Sequence, residues 1–318
     1  FFLALGNITL TFSTNLTMFA LSNFIQGLGA SFAFIAAGKL ISEWFAPKLF
    51  PILFGLTQTL SCILTAIIHY YLVKALETDL ADIYQQLAYL VFVWLFLVVL
   101  FVRSPSKEKT GEKISFSKSA ATVFKSKQTW LCSWAAATSF GALASYASFW
   151  YMSVEKHFGV DTSESLVISG MIFVGIGIGT PFLGWLSNKL KSRNLVIHIS
   201  LVFGAIFLML GLYLPHFDVN TYIPIKIISF LAGFFLSGSM LYYTSVSELS
   251  SNSTRAMGLG LVNTSVFAFN TFLLFIPQLF ITKQSTGYAT HLWVLPVSVL
   301  ISIFLAYFVK ETYSKSNN

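Results

Sequence analysis

The chain has 318 residues, of which 56% are hydrophobic and only 10% charged, with a mean hydropathy of +0.75. A water-soluble domain carries about 25% charged residues to hydrate its surface, so this composition excludes one and makes lipid the surrounding solvent. The formal net charge of +7 does not imply nucleic acid, because topology accounts for where the charges fall.

The chain opens on Phe1-Phe2, without Met and already inside an apolar stretch, and shows no signal-peptide pattern. The expectation is that further sequence precedes it. Crossing the hydrocarbon core takes roughly 20 mainly apolar residues in a helix, since every backbone group must be hydrogen-bonded internally. In chain order, spans are expected over 1–14, 17–42, 49–73 and 87–102, then over 129–152, 165–186, 194–214, 222–246, 256–282 and 291–309. Ser13-Thr14-Asn15 is the turn that separates the first two. Residues 103–128 form a Ser/Lys/Gly-rich basic linker, expected to be flexible, between a partial lobe of four spans (1–102) and a lobe of six (129–318). Cys62 and Cys132 lie in apolar runs and read as small buried hydrophobes. No metal-ligand pattern is present, and His69 and His198 read as structural.

With the start of the chain placed in the cytoplasm, the ten spans put 15 Lys and Arg residues inside and only Lys74, Lys156, Lys226 and Lys283 outside. That asymmetry is the positive-inside bias of membrane proteins, and it leaves the linker and the C-terminus cytoplasmic. None of the 12 carboxylates falls in the middle of a span.

An internal repeat is visible. Ser42-Glu43, Gly55-Leu56 and Gln58-Thr59 recur as Ser247-Glu248, Gly260-Leu261 and Asn263-Thr264, at a constant offset of 205 residues. Two pseudo-symmetric halves are a hallmark of secondary transporters. The stretch Gly184-Trp185-Leu186-Ser187-Asn188-Lys189-Leu190-Lys191-Ser192-Arg193 resembles the major facilitator signature G-x-L-[SA]-D-R-x-G-R-[RK]. Gly184, Leu186, Ser187 and Arg193 match, whereas Asn188 replaces the acid, Lys189 and Ser192 the arginines, and Lys191 the glycine. Asn23-Phe24-Ile25-Gln26-Gly27-Leu28-Gly29-Ala30 is similar to the family's fourth-helix R-F-x-Q-G-x-G-A, with Asn23 for the arginine. Trp150, with the following outer loop and the glycine run from Gly170 to Gly184, is similar to the seventh and eighth helices of bacterial members.

The resemblance implies an all-α integral membrane protein, a two-lobe bundle matching helices 3–12 of a twelve-helix transporter. It implies a monomeric plasma-membrane protein, in a bacterium the inner membrane. Such a protein moves a small polar organic solute by alternating access, with membrane lipid and solute as its partners. It implies no resident cofactor; any proton- or ion-coupling acid is expected in the two preceding helices. The proline of the drug-antiporter pattern is absent after Gly55, which disfavours efflux. A membrane enzyme would need motifs such as G-x-S-x-G or H-E-x-x-H, which are absent. A receptor would need a larger soluble domain.

Candidate residues follow from the expected cavity-lining helices. Asn23 and Gln26 either hydrogen-bond the solute or join helices as polar contacts. Tyr146, Trp150 and Tyr151 either wall a pocket or, for the last two, belong to an interfacial aromatic belt. Lys226 either attracts an anionic solute or snorkels to the outer interface. Of Tyr242 and Tyr243 at least one is expected to face inward. Gln58, Asn263, Glu43, Glu248, Gly184, Ser187, Asn188 and Arg193 are expected at the contacts between lobes that gate access. Gly175 and Gly179 give a G-x-x-x-G packing face rather than a nucleotide loop.

Overall fold

A computed structural model describes residues 1–75, 80–102, 115–157, 159–214, 221–279 and 292–313. Helices α1 (Phe2–Thr11), α2 (Leu16–Trp44), α3 (Phe50–Ala75) and α4 (Leu80–Phe101) form the first lobe. After α5 (Phe116–Lys125), the second lobe holds α6 (Lys127–His157), α7 (Thr162–Lys189), α8 (Arg193–Tyr213), α9 (Ile223–Leu236), α10 (Leu241–Leu249), α11 (Arg255–Leu279) and α12 (Val294–Ala306). Among the described residues, seven spans meet the length and apolarity needed to cross a membrane, with α9 and α10 counted as one; α1 and α12 are shorter apolar helices. Large apolar side chains cover the outer surface, with Phe96, Val99 and Phe101 of α4 all more than 60% exposed, as suits a lipid-facing helix.

Each expected span overlaps a helix, with three differences. Asn15 caps α2 by accepting from the Met18 N–H at 2.9 Å, so the Ser13–Asn15 turn is built as read. Helix α4 begins at Leu80 rather than at 87, because Tyr84, Gln85 and Gln86 extend it beyond the apolar run. The linker contains a helix: Ser115 caps α5, whose Ser119 and Val123 are buried one turn apart. The span expected over 222–246 is interrupted by a 3-10 stretch at Ser237–Met240. The hydroxyls of Ser237 and Ser239 donate to the carbonyls of Phe234 and Leu236, turning back on the helix that precedes them.

Small residues set how closely the helices approach. A Cβ on Gly175 would collide with the Phe230 carbonyl, and one on Gly179 with the Phe234 carbonyl. The G-x-x-x-G face therefore packs α7 on α9. A second face of α7 carries the seam between lobes. Cβ atoms on Gly184 and Gly55 would lie 2.8 Å from the Pro51 carbonyl and 2.7 Å from the Pro181 nitrogen. The Thr59 hydroxyl donates to the Gly177 carbonyl. Pro51, Gly55 and Thr59 thus run antiparallel to Gly184, Pro181 and Gly177, one turn per step. Their repeat counterparts on α11, Ala256, Gly260 and Thr264, line a lateral groove of about 1200 Å³ with Phe32, Trp130 and Trp134.

Candidate functional site

Between the lobes lies a cavity of about 550 Å³, walled by α2, α3, α6 and α11 and by the segment at the α9–α10 break. Its polar groups are Gln58, Asn263, Tyr243, Ser31, Thr264 and Thr271; Phe24, Phe34, Phe140 and Phe267 supply aromatic wall. No lining side chain among the described residues is charged. The Tyr243 hydroxyl donates to Asn263 Oδ1 at 3.3 Å, which orients the Asn263 amide. The 3-10 stretch ends at Met240, itself a wall residue, and Tyr243 follows within the first turn of α10.

Aromatic packing closes one end of this cavity. Phe34 lies 4.9 Å from Phe54 and 5.4 Å from Tyr243, ring centre to ring centre, and Phe50 stacks on Phe54 at 5.2 Å. Such offset and edge-on pairs are worth about 0.5–1.5 kcal/mol each beyond burial. Here they join α2 and α3 of one lobe to α10 of the other. Below them, a Cβ on Gly38 would come within 3.0 Å of Leu259 and 3.2 Å of Phe54.

Beyond the aromatic layer at the same end is a charged network. Arg193 is fully buried. Its Nη1 donates to Ser187 Oγ at 2.6 Å and to Asn188 Oδ1 at 2.7 Å, and its Nη2 donates to Glu248 Oε1 at 2.8 Å. The other Glu248 oxygen accepts from the Thr312 hydroxyl at 2.6 Å. Asn188 Nδ2 donates across the lobes to the Lys48 carbonyl at 2.8 Å. Glu311 accepts from Ser192 Oγ and from the backbone N–H groups of Arg193, Asn194 and Tyr313. Burial alone would raise its carboxyl pKa, but these four donors outweigh burial and hold it below the usual carboxylate range.

The expected site residues divide accordingly. Gly184 and Asn188 reach the first lobe, at Pro51 and Lys48, whereas Ser187, Arg193 and Glu248 form a network within the second lobe beside that contact. Glu43 pairs with Lys39 one turn away at 3.7 Å, partly exposed, and its charge also acts across the lobes on Arg255 of α11. Gln58 and Asn263, expected among the gating contacts, line the cavity between the lobes. Of the two tyrosines, Tyr243 faces the cavity while Tyr242 is fully buried in its own lobe, toward Ser302 and Cys132.

Four candidates lie off the cavity wall. Asn23 is exposed and donates to the Phe19 carbonyl of its own helix at 2.8 Å. Gln26 donates to Asn7 Oδ1 at 3.4 Å, so it joins α2 to α1. Tyr146 is fully buried with its hydroxyl 2.9 Å from Ser229 Oγ. Lys226 pairs with Glu164 of α7 at 2.6 Å, at the end of the bundle opposite Arg193. Trp150 belongs to α6, but its side chain and that of Tyr151 lie outside the described residues. The aromatic floor and the Glu311 clamp carried no sequence signal, since both are made by residues distant in the chain.

The profile of the Major Facilitator Superfamily matches residues 1–270 and 152–318. The chain belongs to the major facilitator superfamily. It is therefore a multi-pass secondary transporter rather than an enzyme. The fold is similar to a bacterial homologue of the iron transporter ferroportin in its outward-facing state, with TM-score 0.66 and 14% identity over 92% of this chain and 72% of that one. It is also similar to a singly substituted form of the Escherichia coli fucose:proton symporter, with TM-score 0.67 and 12% identity over 97% of this chain and 82% of that one. No curated relative matches the sequence.

Proposed function

We propose that this superfamily member carries a small, uncharged polar organic solute, by alternating access of the lobes 1–102 and 129–318 to the cavity between them. The observation that carries the reading is the wall of that cavity: two repeat-related amides, Gln58 and Asn263, one from each lobe, among hydroxyls and aromatic rings with no charge in the lining. Amides and hydroxyls recognise neutral donors and acceptors, and aromatic faces accept the apolar side of a sugar-like or nucleoside-like molecule. An organic anion lacks a partner there, because Lys226 is engaged by Glu164. A metal ion is a poor fit for the same wall; among the described residues no cluster of His, Cys, Asp or Glu could hold one. Of the solute classes named for the two structural neighbours, a neutral sugar suits these groups and an iron cation does not.

The sealed end carries Lys48, Lys189, Lys191 and Arg193. The Lys and Arg bias along the sequence supports a cytoplasmic position for it, with the chain as a monomer in a bacterial plasma membrane. The predominance of aromatic wall favours a second reading, export of a more lipophilic compound. Reconstitution into vesicles tests both. Uptake of labelled neutral sugars or nucleosides, blocked by a disulfide between cysteines placed across the seam, supports the proposal. Transport confined to charged solutes, or flux unaffected by locking the lobes at both mouths, overturns it. Saturable flux of lipophilic compounds alone selects the second reading.

A further inference from the structure

We propose that a cleft at the sealed end, between Lys48, Lys189 and Lys191, seats the phosphate headgroup of an anionic phospholipid and clamps the two lobes together. The cleft has a volume of about 400 Å³. Lys48, Leu49 and Ile52 line it from the first lobe, and Asn188, Lys189, Lys191 and Tyr313 from the second. All three lysines are exposed, and none forms an ion pair among the described residues. The carboxylates of the neighbouring network are occupied: Glu248 by Arg193 and Thr312, Glu311 by Ser192 and three backbone N–H groups. Three lysines lining one cleft, none paired with a carboxylate among the described residues, favour an anion.

Two further features point to a built site on the lipid side. Lys191 sits at φ 53°, in the left-handed region. It occupies the position that closes α7 in a Schellman turn, where Ser192 N–H bonds the Ser187 carbonyl and Lys191 N–H the Asn188 carbonyl. Glycine is the usual residue there, because a side chain in this region crowds the backbone. The charge is thus kept where the backbone would prefer no side chain. Lys189 Nζ lies 5.1 Å above the Trp185 ring, beside exposed Phe182 and Leu190. An amphipathic ring with a cation over it marks the headgroup level of a membrane, which selects a lipid phosphate over a soluble one. Because each lobe contributes part of the cleft, the ligand binds the sealed seam better than the open one and shifts the population toward it. That shift rests on the alternating access proposed above, whereas the binding does not.

The test compares phosphatidylglycerol with phosphatidylcholine of the same acyl chains. Binding is measured by lipid titration in detergent and by native mass spectrometry of the full chain. The unaltered protein is expected to prefer phosphatidylglycerol by about tenfold or more, since each lysine near an anionic surface contributes a factor of about five. The K48Q/K189Q/K191Q variant is expected to lose that preference. Lys191→Gly alone relieves the strained backbone, so it raises or preserves Tm while weakening phosphatidylglycerol binding, an outcome that a purely structural lysine would not give. Unchanged selectivity in the triple variant overturns the site, and displacement by millimolar glycerol phosphate overturns its lipid source. Spin labels at Phe45→Cys and Leu195→Cys report the seam. Phosphatidylglycerol is expected to enrich the short distance in the parent and not in the triple variant. A distance that responds to solute but not to this lipid overturns the clamp. A distance that never changes, with lipid selectivity intact, overturns alternating access and leaves the lipid site standing.

Discussion

The amide of Asn188 donates to the backbone carbonyl of Lys48 at 2.8 Å while its oxygen accepts from Arg193 at 2.7 Å. One side chain therefore ties the lobes and orients the buried guanidinium. The acid found at this position in the family signature could do the second task but not the first, since a carboxylate has no donor. Asn188→Asp is expected to keep the Arg193 contact and lose the tie, costing about 1 kcal/mol of seam stability, or about a fivefold shift toward the open end. The check is the labelling rate of a cysteine at the cavity residue Ser31 by an impermeant thiol reagent applied from the Lys48 side. An unchanged rate removes Asn188 from gating.

Arg193 is fully buried, and Glu248 shows only 14% side-chain exposure. Removing one member of such a pair leaves an uncompensated charge in a low-dielectric site, which costs roughly 3–5 kcal/mol. Arg193→Gln is expected to reduce Tm sharply and the yield of folded protein with it. Arg193→Lys should fall between, because one ammonium cannot reach Ser187, Asn188 and Glu248 in the same fork. Thermal unfolding in detergent ranks the three; a Gln variant as stable as the parent would mean the network is dispensable.

Gly55 approaches Pro181 so closely that an added Cβ would stand 2.7 Å from a backbone nitrogen. Neither atom is the end of a flexible side chain, so Gly55→Ala must push the lobes apart. The expected cost is about 1–3 kcal/mol, expressed as a more open seam and lost transport. Gly170→Ala is the matched control, since a Cβ there meets nothing within 4 Å. Equal behaviour of the two variants in a transport assay would rule out the glycine seam as a determinant.

Much of the architecture was legible because lipid imposes a one-dimensional code. Apolar length marks the helices. The 205-residue repeat pairs Gln58 with Asn263, and both line the same cavity, a place the sequence does not give. Other features depend on the third dimension. Gly177 and Gly175 are two residues apart in one apolar run, yet one faces the other lobe and the other faces α9; composition cannot separate them. Lys226 reads as either a cavity cation or a lysine snorkelling to the interface until Glu164, on another helix, is seen beside it. The α5 helix hides in a basic linker because its buried face is only Ser119 and Val123.

The Glu311 clamp makes a prediction about pH. Its pKa is lowered in the folded chain, so folding and ionisation favour each other. The stabilisation is present above the ordinary carboxylate range and is lost as pH falls through the lowered folded value. The C-terminal segment from Lys310 to Tyr313 is therefore expected to stay docked at pH 7 and to release only once the pH has fallen below the ordinary carboxylate range. Hydrogen exchange at the N–H groups of Arg193 and Asn194 reads this directly. Glu311→Gln should show the released pattern at pH 7, and identical protection in parent and variant would exclude the clamp.

Gln58 and Asn263 allow the cavity itself to be tested. Each comes from a different lobe, and each faces the same space at repeat-related positions. If one solute molecule touches both amides, removing either forfeits a hydrogen bond, and removing the second then costs less than it does alone. A double-mutant cycle on kcat/KM with Gln58→Ala and Asn263→Ala is therefore expected to give a coupling of about 1 kcal/mol. Tyr243→Phe should act in the same direction as Asn263→Ala but more weakly, since it frees the amide that Tyr243 orients without removing it. Additive losses would mean that the amides act on separate steps, and gating rather than recognition would then be their role.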